Sequence, residues 1–108
     1  MKILVPIDGS KSSKKSIDVA RDMGEKLGAD LLILTDAETD LSGYPNKVET
    51  FYTSGNPGEQ ICKFADEKDV DFIVMGNRGL GAFSRTLLGS VSNKVINHSK
   101  KSVLVVKA

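Results

Sequence analysis

Apolar residues come in this chain as short unbroken runs set between amphipathic stretches. Lys2 to Ile7, Asp30 to Thr35, Asp71 to Met75 and Ser102 to Lys107 each enclose an almost uninterrupted aliphatic segment. Runs without polar alternation are the signature of strands covered on both faces, as in a parallel sheet. Val48 to Thr53, diluted by Glu49 and Thr50, reads as a weaker strand at an edge. The stretches between them carry helical spacing. Ser13, Ile17, Ala20, Gly24 and Leu27 recur at steps of three and four, with Lys11, Lys14, Lys15 and Asp22 facing outward. Ser10 or Ser12 supplies the N-cap and Gly28 the left-handed stop. A second helix follows the turn Ser54-Gly55-Asn56-Pro57, with Asn56 as N-cap, Pro57 first and Ile61, Phe64 and Ala65 inward as far as about Lys68. A third begins near Gly89 with Leu88, Val91, Val95 and His98 on its inner face, and Lys100-Lys101 end it.

Strands alternating with helices predict βαβ units with right-handed crossovers, hence an α/β three-layer sandwich on an open parallel five-stranded sheet. The length predicts one domain over residues 1–108. One unit is incomplete. Asp36 to Lys47, about a dozen residues, is too short for two loops and a helix. A patch of sheet beside the second and third strands is therefore expected to lack helical cover, with Leu41 and Tyr44, or a partner subunit, filling the gap.

Charge and composition narrow the partners. Fifteen basic against fourteen acidic residues give a net charge of +1, so no global field draws the chain to nucleic acid or an anionic membrane. The apolar runs are far below the roughly 20 residues that cross a bilayer. Met1-Lys2 leads straight into a strand without a secretory pattern, so a cytoplasmic location is expected. Cys62, the single cysteine, excludes an internal disulfide and reads as a buried or half-buried helix side chain.

The segment from Met75 through Gly76, Gly79, Gly81 and Gly89 to Ser90 and Val91 carries the candidate chemistry. Glycines let backbone approach a ligand, and the following helix start offers unpaired N–H groups and partial positive charge. That layout suits a phosphate. Rival motifs fail: Gly89-Ser90 has no preceding lysine for a Walker loop, and Ser84 stands where a dinucleotide fingerprint needs its third glycine. A receiver domain would want an acidic cluster at the first strand, where Asp8 is alone, and an aspartate ending the third, which runs into Thr53-Ser54.

These residues resemble the universal stress protein family along nearly the whole chain. Gly76, Gly79, Gly89 and Ser90 satisfy its pattern of glycine, two residues, glycine, nine residues, glycine and serine or threonine. Ile3 to Ser10 resembles its opening strand and aspartate, Asp71 to Gly76 the strand feeding the loop, Leu87 to Val91 the loop exit and Val103 to Val106 the closing strand. The resemblance implies strand order 3-2-1-4-5, ATP at the carboxyl ends of strands one and four, and homodimers paired through the fifth strand, Ser102 to Lys107. It implies a nucleotide site of Pro6, Ile7, Asp8, Thr35, Asp36, Met75, Gly76, Arg78, Gly79, Gly89, Ser90 and Val91, with Asp8 assisting magnesium.

Within that site, Gly76 and Gly79 are expected to let the backbone pass ribose and the first phosphates, while the amides of Gly89, Ser90 and Val91 receive the distal ones. Asp8 takes a ribose hydroxyl or the magnesium, or simply caps the Gly9-Ser10 turn. Arg78 and Arg85 reach phosphates or remain solvated. Three departures stand out: the missing helix, Ser102 in place of the family's proline, and Thr35-Asp36 in place of histidine and the valine that lies against adenine. Asp36 is expected instead to accept from the adenine amino group or a ribose hydroxyl. The function expected is that of an ATP-binding regulatory stress-response protein, with at most slow hydrolysis. The alternatives are a dimeric interaction module with an empty pocket, and an ATP-using transferase whose usual signature loops are absent.

Overall fold

A computed structural model describes residues 1–35, 39–52, 57–77 and 89–107. Five parallel strands form one sheet in the order β3-β2-β1-β4-β5: β1 is Lys2–Ile7, β2 Asp30–Thr35, β3 Val48–Phe51, β4 Phe72–Gly76 and β5 Ser102–Val106. Helices α1 (Lys11–Leu27), α2 (Pro57–Glu67) and α3 (Ser90–His98) complete the described elements. The expected class and strand order are therefore observed. Boundaries shift by a residue where pairing decides them, as at Gly76, which joins β4 because it pairs with Val106.

Alternation along the strands builds two cores. Ile3, Val5, Leu31, Ile33 and Val74 face α1, whereas Leu4, Leu32, Leu34, Ile73 and Met75 face α2 and α3. Each strand thus buries both faces, which is why its sequence shows no alternation. On the second face the Phe51 and Phe64 rings meet at 4.7 Å with the Lys68 ammonium 5.0 Å from the Phe51 ring centre, closing the core toward the β3 edge.

Helix α1 lies close to the sheet because its buried stripe is small. Ser12, Ser16, Ala20 and Gly24, four residues apart, are all buried, together with Ser13. Leu27, expected on this stripe, is 50% exposed. The notch at Gly24 is filled by Tyr44 from the β2–β3 connection, so the next turn has no place against the sheet. A Cβ on Gly24 would collide with the Tyr44 hydroxyl and lie 3.0 Å from its ring carbon.

The same tyrosine fills the gap left by the missing helix, together with Leu41, as one of the two expected arrangements. Tyr44 donates to the carbonyl of Ala29 at 2.5 Å, and the Arg21 guanidinium donates to that of Ser42 at 3.0 Å. Leu41 and Tyr44 pack on the α1-side core, and Leu31 and Ile33 beneath are fully buried. The short connection thus covers its part of the sheet from within the chain. His98 departs from expectation too. The short α3 buries Ser92 and Val95, and His98, its last residue, lies beyond that face and is exposed.

Candidate functional site

Pairing between β1 and β4 stops short of their carboxyl ends, and the sequence contains the reason. At the amino edge they are tied tightly: the Asp71 amide donates to the Lys2 carbonyl at 2.8 Å, and the Lys2 amide to the Asp71 carboxylate at 2.7 Å. Pairing continues through Ile3↔Phe72 and Leu4↔Ile73 and then stops. Two residues on stands Pro6, which has no N–H to extend the ladder. On its other side β1 stays paired with β2 through Ile7↔Thr35, and β4 stays with β5 through Gly76↔Val106. The parting falls where strand order reverses, the position at which open α/β sheets take ligands.

Two helices start beside this parting. The α1 start is closed by its own side chains: the Asp8 carboxylate accepts from the Ser10 amide at 2.9 Å, and Ser10 Oγ accepts from the Ser13 amide at 3.2 Å. The half-buried Asp8 therefore does cap its turn. The α3 start differs. Its N-cap is Gly89, with extended backbone (φ −64°, ψ 160°) and no side chain to bond the first amides. The Gly89 amide itself donates to the Asn77 carbonyl at 2.7 Å, so the chain leaving β4 returns to its point of departure before α3 begins.

Gly76 locks the two starts together. A Cβ there would collide with Ser12 Oγ and come within 2.8 Å of the Ser12 Cβ and carbonyl carbon, so the glycine admits the first turn of α1. From the opposite face, buried Ser92 donates through Oγ to the Gly76 carbonyl at 2.7 Å. Both helix starts are thereby fixed against one residue of β4. Ser92 and the buried Asn77 were not among the residues singled out from the sequence, and Ser12 was singled out only as a possible N-cap. The serine, serine, alanine and glycine at four-residue steps in α1 was the available signal for Ser12. Ser92 and Asn77 carried none.

The expected site residues distribute as follows. Pro6, Ile7, Asp8, Thr35, Met75, Gly76, Gly89, Ser90 and Val91 all lie at the carboxyl edge. Ile7 and Met75 are committed to opposite cores, and Thr35 is 2% exposed, so at the parting these positions offer mainly backbone. Ser90 is exposed at the first position of α3. Asp36, Arg78, Gly79, Gly81, Arg85 and the Asn56 cap lie outside the described residues. Among the described residues no group of three or more His, Cys, Asp or Glu gathers to hold a metal. Cys62 is half-buried on α2, where burial, reinforced by the Asp66 charge, pushes its thiol pKa up and leaves it a weak nucleophile. Among the described residues no helix is long and apolar enough to cross a membrane.

Taken together, the carboxyl edge presents a helix start without a side-chain cap bond beside the point where β1–β4 pairing stops, an arrangement suited to an anion. Comparison with known proteins agrees with the fold. The family model described as "Universal stress protein family" matches residues 36–107. Universal stress protein YxiE of Bacillus subtilis is 30% identical over 145 aligned positions, covering 98% of this chain and 98% of that protein. Universal stress protein MJ0577 of Methanocaldococcus jannaschii is 46% identical over 61 residues, 56% of this chain and 38% of that protein. The MJ0577 structure superposes over 99% of this chain and 95% of its own with a TM-score of 0.89 and 26% identity. A universal stress protein solved in complex with cAMP matches over 99% and 96% with a TM-score of 0.78 and 29% identity. This chain belongs to the universal stress protein family.

Proposed function

We propose that this chain is an ATP-binding regulatory protein of the stress response, its residues 1–108 forming one nucleotide-binding domain. The observation that carries the proposal is the α3 start, left without a side-chain cap beside the parting of β1 and β4. The related protein in complex with cAMP supports an adenine nucleotide as the ligand class. The amides of Ser90 and Val91 and the Ser90 hydroxyl would hold phosphates, the Gly89 amide, expected with them, being engaged by the Asn77 carbonyl, with Gly76, Gly79 and Arg78 completing the loop. Asp8 would serve a ribose hydroxyl or the accompanying magnesium, and Thr35 and Asp36 the base and ribose. A few charge-assisted bonds at roughly 1.5 to 3 kcal/mol each, less the cost of association, leave about micromolar affinity, near −8 kcal/mol.

Binding rather than turnover is the role we assign. Ser84 to Ser90 supplies hydroxyls and an arginine but no carboxylate to position water at a terminal phosphate. The expected homodimer through β5 fits an edge strand whose Leu104 is 38% exposed. The alternative of an interaction module with an empty pocket loses one motive, since Tyr44 and Leu41 cover the sheet from within the chain. Its other motive, Asp36 in place of the valine, is tested by nucleotide choice. Chromatography of the supernatant from heat-denatured purified protein should reveal carried adenine nucleotide. Gly79→Val and Gly89→Val should abolish binding of added ATP in a folded protein. Unchanged affinity in both would exclude the loop.

A further inference from the structure

We propose that Lys11, Lys14 and Lys15, on the first turns of α1, form a charge selector that makes the site favour nucleotides with more phosphates. The inference rests on the nucleotide reading above and names what it selects. All three lysines are exposed, and the first turn of α1 contains no acidic residue. Among the described residues every ion pair uses other cations: Arg21 with Glu25, Lys26 with Asp22, Lys47 with Glu49, Lys63 with Glu67, Lys94 with Glu59 and Lys101 with Asp69. Asp18, one turn beyond Lys14 and Lys15, pairs with neither. Asp8, the nearest carboxylate in sequence, accepts from the Ser10 amide.

Three unpaired cations at the positive end of a helix oppose its macrodipole. Elsewhere among the described residues six cations are matched with carboxylates, whereas here three cations without an ion pair fall within five residues of one helix. The position of this cluster gives it a use. Ser12, between Lys11 and Lys14, touches Gly76, whose carbonyl accepts from Ser92 on the first turn of α3. Along the helix axis the lysines lie within about one turn, roughly 5 Å, of Ser12, and so at the same edge of the sheet as the uncapped α3 start. Phosphates held at those amides lie in the field of the cluster, and each added phosphate charge interacts with all three cations. A monophosphate draws least from this field and a triphosphate most.

Calorimetric titration of wild type and of K11Q/K14Q/K15Q with ATP and with AMP tests the selector. The salt concentrations are about 0.01 M and about 0.15 M, where the Debye length is roughly 30 and 8 Å. At low salt the triple variant should lose about tenfold or more in ATP affinity but less than about threefold for AMP, and the ATP loss should shrink at the higher salt. Glutamine keeps helix propensity and removes like charges from the positive end, so the melting temperature should not fall. K26Q/K63Q/K100Q changes net charge equally away from the α1 start, Lys26 lying about 22 Å along α1 from Lys11, and should leave the ATP-to-AMP ratio unchanged. Equal losses for the two nucleotides, the same loss from K26Q/K63Q/K100Q, or no loss at all would overturn the selector while leaving nucleotide binding intact. Unchanged ATP affinity with lost binding to a single-stranded oligonucleotide or an anionic vesicle would also overturn it, assigning the lysines to a macromolecular surface. If wild type binds neither ATP nor AMP, the nucleotide reading fails and the selector with it.

Discussion

Two strand-to-helix connections meet at the carboxyl edge of the sheet and treat the same backbone requirement in opposite ways. Between β1 and α1 three residues suffice, and Asp8 and Ser10 supply the oxygens that the turn and first helical amides need. Between β4 and α3 the Gly89 amide bonds the Asn77 carbonyl, and the helix begins on a residue with no side chain. A self-capped helix start has stability as its purpose; an uncapped one keeps its donors for something else. Gly76 joins the two, touching Ser12 of one helix and bonding Ser92 of the other.

The largest disruption should come from that junction. Gly76→Ala places a Cβ within 2.8 Å of Ser12 and should cost about 1 to 3 kcal/mol by overpacking, read as a lower denaturant midpoint, with ATP affinity lost alongside. Adding Ser12→Gly should restore only part, because the Ser12 carbonyl carbon is equally close. An unchanged midpoint with lost binding would show that position 76 serves the ligand and not the helix contact.

Closing the open start is the next sharpest intervention. The Gly89 backbone accommodates any residue, so Gly89→Asp should cap α3 as Ser10 caps α1, gaining a few tenths of a kcal/mol while reducing ATP affinity about tenfold or more. Retained affinity in a more stable protein would mean that the α3 amides are not the phosphate site. The converse change, Ser10→Ala, should cost about 1 kcal/mol of stability with a smaller effect on affinity than Gly89→Asp.

The β2–β3 connection provides a control remote from both starts, and the smallest effect. Burial raises the Tyr44 pKa above the ordinary phenol value, with the Glu25 and Asp30 charges acting in the same direction and Asn46 opposing. A folded-state pKa above the unfolded one contributes stability that is complete below about pH 10 and fades as pH rises through the folded value. Tyr44→Phe should lose the bond to Ala29, about 1 kcal/mol, and flatten the alkaline side of the stability profile. An unaltered alkaline slope would assign that limb to other groups, and altered ATP affinity would contradict the remoteness of this connection from the site.

Strand identity was legible because parallel strands covered on both faces leave unbroken aliphatic runs, as at Leu31 to Leu34. The Ser10 cap, the Gly28 stop and the edge position of β3 were legible because each depends on a local backbone or solvation rule. Packing partners were harder to read. His98 matched the helical spacing of Val91 and Val95, but spacing does not say where a helix leaves the sheet. The missing helix left Leu41 and Tyr44, or a partner subunit, as cover, and the choice depends on Tyr44 entering the notch at Gly24, a contact between segments 20 residues apart in number. Gly76 shows the same limit at the candidate site: its place in the motif was visible, while its contact with Ser12 required the third dimension.

Calorimetric titration of the purified wild-type protein, cleared of carried nucleotide, with MgATP tests the central claim most directly. Saturable binding near about 1 μM, weaker for GTP and weakened by Gly89→Asp, is the predicted result. No heat of binding up to millimolar ATP would contradict the account.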